Sequence, residues 1–426
     1  MRDLFTQFDR TTRQKICIQN WLKAGMKATI VAATGVGKTR IALMTIKALL
    51  SKYPNMRFLI VVPTETLQNQ WQEQLDAWDV LFNCEVKIIN SASKQNYVCD
   101  VLIIDEIHRS AANTLLNVFN TVKYRYIMGL TATFERLDER DQLVAKYAPV
   151  CDTISTEEAL LNGWIAPYKE YVVLIDVPDM DIYNEYNRQF TESFGFFNFR
   201  FDLVMKMIGK DGYKTRLAYR DYILPSNATS AQKSDTLKII TYHAMNFMRA
   251  MQNRKKFINN HPKKVEIAQK IIKARSNRKI ITFSNNVKMA EAIENGKNVY
   301  TGKISKKKGR IMIDDFNKLK TGCIHSCQKL NEGADIKGLS VAIMLGLDSS
   351  KIKAVQKRGR VIRWEDGKTA ELFNLIIKDS VEQAWFKKSH ENDKYIIIDE
   401  KGLDKVLNGE EPDIYKKPIQ KFAFRF

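Results

Sequence analysis

The sequence predicts an α/β protein built from two tandem parallel-sheet lobes with a partly helical insertion between them. Three observations carry this. Up to residue 165, short β-rich apolar runs alternate with helical patterns, as in βαβ units with helices on the faces of a parallel sheet. After Asn162-Gly163 that rhythm breaks, and the chain to Pro262 is irregular, basic and aromatic. A second strand–helix series then begins. The expected boundaries are 1–165 for the first lobe, 166–262 for the insertion, 263–409 for the second lobe, and 410–426 for a tail carrying Pro412 and Pro418.

In the first lobe, strands are expected at Ala28–Ala33, Arg57–Val62, Glu85–Ile89, Val101–Ile104 and Tyr126–Met128, with helices at Gly37–Lys52 and Glu65–Trp78. In the insertion, Phe190, Phe194, Phe197, Phe201, Val204 and Ile208 recur at steps of 4 and 3, a helical stripe. That spacing favours core packing over an exposed platform on which bases stack. The second lobe begins with a helix at Lys264–Ala274, a strand at Lys279–Phe283 and a helix at Lys306–Leu319. A strand at Val341–Leu345, a helix at Ala354–Ile362, a strand at Leu372–Ile377 and a helix from Val381 complete it.

Composition narrows the function. The 426 residues suit two or three domains. Sixty-eight Lys and Arg against 48 Asp and Glu leave a net charge of +20, which calls for a polyanionic partner, nucleic acid or an anionic membrane. A 45% hydrophobic share excludes a disordered chain. No run approaches the ~18–20 apolar residues of a membrane span. The start, MRDLFTQFDRTTRQK, has no apolar stretch of a secretory signal, and the six cysteines are scattered. Reduced cysteines and a cytoplasmic location are expected. Cys323 and Cys327 flank His325, but no second ligand pair accompanies them, so a zinc half-site is not the favoured account. The charge is concentrated: Asn253–Arg310 holds 17 Lys and Arg and 3 acids, a net +14. The run Lys306, Lys307, Lys308 is the strongest candidate there for a phosphate track.

Two motifs carry chemistry. After the first strand comes Ala32-Ala-Thr-Gly-Val-Gly-Lys-Thr39, a phosphate-binding loop in which Ala32 replaces the first glycine. Thr34, Gly35, Val36 and Gly37 offer backbone N–H groups to phosphate oxygens at a helix N-terminus. Lys38 is expected on the β- and γ-phosphates of ATP and the Thr39 hydroxyl on Mg²⁺. The second motif is Leu102-Ile-Ile-Asp-Glu-Ile-His108, two carboxylates at the carboxyl end of a strand, where ligands collect in open parallel sheets. Asp105 is expected to hold Mg²⁺ and Glu106 to polarise the attacking water.

Together, DEIH and A-x-T-G-x-G-K-T resemble the DExH-box branch of the superfamily 2 helicases and translocases. The resemblance spans both lobes and implies that each has a RecA-like fold. It assigns adenine recognition to Gln14. VVPTE at 61–65 resembles the family's motif Ia, which puts Pro63 and Thr64 on the nucleic-acid backbone. LTATF at 130–134 resembles motif III, where Thr131 and Thr133, with His108 of DEIH, would couple ATP state to strand binding. KIITFS at 279–284 resembles motif IV, implying a nucleic-acid contact at Ser284. NEGAD at 331–335 resembles motif V, placing Gly333 and Asp335 near the nucleotide. QKRGRVIR at 356–363 resembles motif VI, with Lys357 in the usual arginine's place. It makes Gln356, Arg360 and Arg363 catalytic. At i, i+3 on one helix the two arginines would share a face and reach the γ-phosphate together.

The implied activity is ATP-driven movement along nucleic acid, with DNA favoured because NEGAD and QKRGRVIR look closer to repair and recombination enzymes of bacteria and phages than to DEAD-box RNA enzymes. An RNA helicase and a nucleotide-gated structural component without turnover are the alternatives, and a restriction-type motor subunit is a further possibility. No membrane partner is expected, and a monomer suffices.

Overall fold

Phe58-Leu-Ile-Val-Val62 and Val101-Leu-Ile-Ile-Asp105 are buried at every position, as parallel strands covered by helices on both faces must be. The computed structural model describes residues 9–109, 112–132, 139–327, 336–347, 351–390 and 393–413. Thr133, Gly333 and Asp335 lie outside the described residues.

The first lobe opens with α1 (Arg10–Lys23), whose N-cap Asp9 accepts from the Thr11 and Thr12 amides. Then follow β1 (Lys27–Ala32), α2 (Lys38–Lys52), β2 (Phe58–Val62), α3 (Glu65–Ala77), β3 (Cys84–Ile88), β4 (Val101–Asp105), β5 (Tyr126–Thr131) and β6 (Val150–Ile154). The strands form one parallel sheet in the order β3-β2-β4-β5-β1-β6. The phosphate-loop strand β1 and the acidic strand β4 thus flank β5, and their carboxyl ends share an edge.

The second sheet departs from the expected boundaries. Its strand β7 (Tyr168–Ile175) comes from the start of the stretch assigned to the insertion. The others are β8 (Lys279–Ser284), β9 (Val299–Tyr300), β10 (Gly322–Cys327), β11 (Leu339–Met344), β12 (Ala370–Ile377) and β13 (Ile396–Ile398). They run in the order β9-β10-β8-β11-β12-β7-β13, all parallel, with β7 paired to β12 over eight residues from Tyr168–Ala370 to Ile175–Ile377. The chain therefore enters the second lobe before the insertion, not after it. What hid β7 is that its partner lies some two hundred residues away and that Lys169 and Glu170 interrupt its apolar pattern.

The insertion proper is four helices: α4 (Met180–Gly195), α5 (Phe201–Ile208), α6 (Gly212–Ile223) and α7 (Ser230–Asn260). The 31-residue α7 starts at a capping box formed by Thr229 and Gln232. Phe194, Phe197, Val204 and Met207 pack against Ile240, Ala244 and Phe247. The aromatic stripe is core, but it is not one helix. The chain breaks at residues 196–200, where Asn198 (φ 49°) and Phe199 (φ 57°) are left-handed, and Phe201 emerges half exposed. The second lobe continues with α8 (Pro262–Ala274), α9 (Lys306–Lys318), α10 (Lys351–Val361) and α11 (Val381–Ser389).

Candidate active site

The loop between β1 and α2 is shaped by two glycines in the left-handed region, Gly35 (φ 94°) and Gly37 (φ 95°). Gly37 is the N-cap of α2, so Lys38 and Thr39 occupy that helix's first turn, where free amides face the loop. Ala32 is the buried last residue of β1, which is why the missing first glycine costs nothing there. The first turn of α1 closes over the loop. Arg10 donates from Nε to the Val36 carbonyl (2.9 Å) and from Nη2 to the Gly35 carbonyl (2.5 Å), and Gln14 donates to the Val36 carbonyl (2.8 Å). Gln14 Oε1 accepts from Arg40, and the whole side chain is buried. Both ends of the amide assigned to adenine recognition are thus engaged with protein. Nothing in the sequence singles out Arg10 or Arg40; their role comes from where α1 lands.

Across β5, Asp105 is buried at the end of β4. One carboxylate oxygen accepts from the Trp71 indole (2.9 Å), the other from the Glu106 amide (3.0 Å). Burial, with the Glu106 charge beside it and Lys38 opposing, pushes the Asp105 carboxyl up to about 6. A divalent cation would reverse that shift, and a carboxylate and a hydroxyl are the hard oxygen donors such a cation takes. The residues therefore fit Mg²⁺. Glu106 has φ 52°, a conformation non-glycine residues rarely hold. This bend leaves its carboxylate 3.5 Å from Lys38 Nζ and 3.5 Å from His108 Nδ1. His108 in turn hydrogen-bonds Thr131 at the end of β5. The structure thus links DEIH to the first threonine of LTATF through buried side chains. Trp71 was invisible as a site residue because a tryptophan four residues before Leu75 on an amphipathic helix reads as core.

The second lobe meets this site through α10. Gly359 lies so close to the phosphate loop that a Cβ there would be 2.1 Å from Thr34 Cγ2. Arg360 is buried one residue on, and Gln356 is one turn earlier. Arg363 does not share their helix face: α10 ends at Val361, and Arg363 forms an antiparallel bridge with Ile165 of the interlobe linker. Ile165 Cγ2 would lie 3.2 Å from a Cβ on Gly35, and the Ala166 amide donates to the Ile362 carbonyl (2.9 Å). The linker is therefore layered between the phosphate loop and the arginine segment. Burial pulls the Arg363 guanidinium below its ordinary value.

The proposed nucleic-acid contacts are more scattered. Thr64 caps α3, accepting from the Leu67 amide, with Pro63 before it at the edge of the first sheet. Ser284 is buried and donates to the Asn286 carbonyl (2.9 Å), so its hydroxyl is turned into the lobe. The basic block is not one surface either. Lys264 is fully buried with Glu382 (2.7 Å), Arg254 is buried against the Phe190 ring, Lys279 is buried, and Arg275 and Arg278 pair with Glu371. What remains exposed includes Lys303, Lys307, Lys308 and Arg310, around the first turns of α9 where Lys306 also lies. Replacing Lys306, Lys307 and Lys308 with alanine is expected to flatten the salt dependence of single-strand binding by about 2 in the log–log slope. The KM for ATP should stay unchanged, which binding and ATPase titrations across salt would check.

The first lobe matches the family model for the type III restriction enzyme res subunit over residues 7–97 and 85–136. The second matches the helicase conserved C-terminal domain over residues 263–365, and the two models together cover more than half of the chain. The chain belongs to the superfamily 2 helicases. As a superfamily 2 protein it is an ATP-hydrolysing helicase or translocase. Among curated relatives it is 24% identical over 402 residues to the DNA 3'-5' translocase XPB2 of Sulfurisphaera tokodaii, spanning 89% of this chain and 84% of that one. It is 21% identical over 406 residues to putative helicase 22 of Sulfolobus islandicus filamentous virus, spanning 85% of this chain and 64% of that protein. The structure of S. cerevisiae Dbp5 bound to RNA and ADP BeF3 superposes with a TM-score of 0.56 at 12% identity, over 93% of this chain and 91% of that one. That likeness is one of fold: two RecA-like helicase lobes.

Proposed function

We propose that this superfamily 2 enzyme is a DExH-box translocase or helicase acting on DNA in the cytoplasm, of the repair and recombination type. The observation that carries the mechanism is the contact of Gly359 with Thr34, which seats the arginine segment of one lobe on the phosphate loop of the other. DNA is favoured over RNA because the relative matched over most of both chains is a DNA translocase.

In this scheme the loop amides of residues 34–37 and Lys38 hold the ATP phosphates. Thr39 and Asp105 would hold Mg²⁺, which would supply neutralisation of the phosphate charge when bound. Glu106 orients and polarises the attacking water, its carboxylate aimed by the left-handed backbone and held between Lys38 and His108. Arg360 stabilises charge developing on the transferred phosphoryl group, an effect worth ~10³–10⁵ in rate in related NTPases, and Arg363 supports it from the segment that bridges Ile165. Gln14, Arg10, Gly333 and Asp335 complete the nucleotide environment. Because the arginines belong to the second lobe, ATP favours closure and hydrolysis releases it. His108, Thr131 and Thr133 relay that change to the strand-binding edge at Pro63 and Thr64. Alternating grip between the lobes then advances the protein along its strand.

The test is ATP turnover with single-stranded DNA, duplex DNA or RNA added. Stimulation by DNA above RNA is expected, and stimulation by RNA alone would overturn the choice of DNA.

A further inference from the structure

Arg358 is two residues from Arg360, so it projects from roughly the opposite side of α10, about 200° around the helix. It points into the second lobe and is almost wholly buried. Its Nη2 lies 3.0 Å from Glu170 Oε2 on β7 and 2.7 Å from Asp393 Oδ2. Glu170 is equally buried; its Oε1 accepts from Asn374 of β12 (3.0 Å) and lies 3.4 Å from His390 Nε2. Burial raises the Glu170 carboxyl, but the Arg358 charge together with His390 and the Asn374 hydrogen bond holds the group below the usual carboxylate range.

A buried ion pair is a poor stabiliser compared with an apolar cluster of the same volume. Its distinctive property is direction: charge-assisted bonds fix one geometry, whereas apolar side chains tolerate rotation and sliding. Direction matters most here, next to a close seam between the lobes. The Gly359–Thr34 contact leaves no slack. A helix with side chains has a radius of about 5–6 Å, so turning α10 by about 20° would carry the Arg360 guanidinium by about 2 Å. A misplacement of about 1 Å already costs on the order of 10²-fold in rate.

We propose that Arg358, clamped between Glu170 and Asp393, is a positioning residue for ATP hydrolysis that fixes the rotation and height of α10 and so delivers Arg360 to the phosphate. This rests on Arg360 acting at the transferred phosphoryl group. The experiment is steady-state ATPase with saturating DNA on Arg358→Met, Arg358→Lys and Glu170→Gln, each alone and with Arg360→Ala, alongside thermal melting and nucleotide-free DNA binding. Arg358→Met should lower kcat by about 10²-fold while the KM for ATP moves less than about threefold. Arg358→Lys, which keeps the charge, should recover part of the loss. In the Arg360→Ala background, Arg358→Met should add nothing further, which a merely structural role would not produce. If Arg358→Met does not fold, Glu170→Gln and Arg358→Lys carry the same comparison. Unchanged kcat, or losses that multiply with Arg360→Ala, would overturn the proposal. If Arg360→Ala itself hydrolyses ATP normally, the failure belongs to the arginine's role and not to its positioning.

Discussion

Gly359→Ala is expected to lower ATP turnover by about 10²-fold or more without unfolding the protein. The added Cβ would fall 2.1 Å from Thr34 Cγ2 and 2.3 Å from Thr34 Cβ, where non-bonded carbons sit at about 3.5–4.0 Å. Thr34 cannot swing aside freely, since its branched side chain is stiff and its backbone belongs to the phosphate loop. The second lobe must therefore retreat by more than 1 Å, roughly 1.5 Å by that difference, and Arg360 retreats with it. On its own helix, alanine should stabilise α10 by about 1 kcal/mol relative to glycine. Lost rate with an unchanged or raised melting temperature separates the seam from a folding defect. Thr34→Gly removes both clashing carbons, so the Gly359→Ala, Thr34→Gly double variant should turn over faster than Gly359→Ala alone. Equal, wild-type rates for Gly359→Ala would show that hydrolysis does not need this contact.

The second large effect is at Glu106. Glu106→Gln keeps the size of the side chain and removes its charge and basicity. Catalysis by a positioned base contributes about 10²–10⁴-fold, and a loss in that range is expected for kcat. ATP binding should survive, and even tighten, because Lys38 no longer has a carboxylate 3.5 Å away competing for its charge. Single-turnover hydrolysis and a nucleotide-binding titration on the same preparation measure the two parts. Wild-type hydrolysis in this variant would remove Glu106 from the role of polarising water.

The phosphate loop and DEIH were legible because their chemistry is local: a strand, two glycines, a lysine at a helix start, and two acids at a strand end. The alternation of strands and helices likewise revealed both lobes. What escaped depends on distance. β7 looked like part of the insertion because its partners β12 and β13 lie far along the chain. The pairing of Arg360 and Arg363 assumed a helix that ends at Val361, before the second arginine. A charge count cannot tell Lys264, sealed with Glu382, from Lys307 in solvent, so the basic block promised a broader track than its exposed lysines supply. The Thr34–Gly359 seam was hidden for a simpler reason: a glycine's value there lies in the atoms it lacks.

Hydrolysis between the lobes is expected to move the protein along DNA. Displacement of a third strand from a DNA triplex measures that movement without requiring strand separation. The wild-type protein should displace the third strand only when ATP is present and hydrolysed, with Glu106→Gln and Gly359→Ala inactive. DNA-stimulated hydrolysis with no displacement, or displacement by Glu106→Gln at the wild-type rate, would contradict the account.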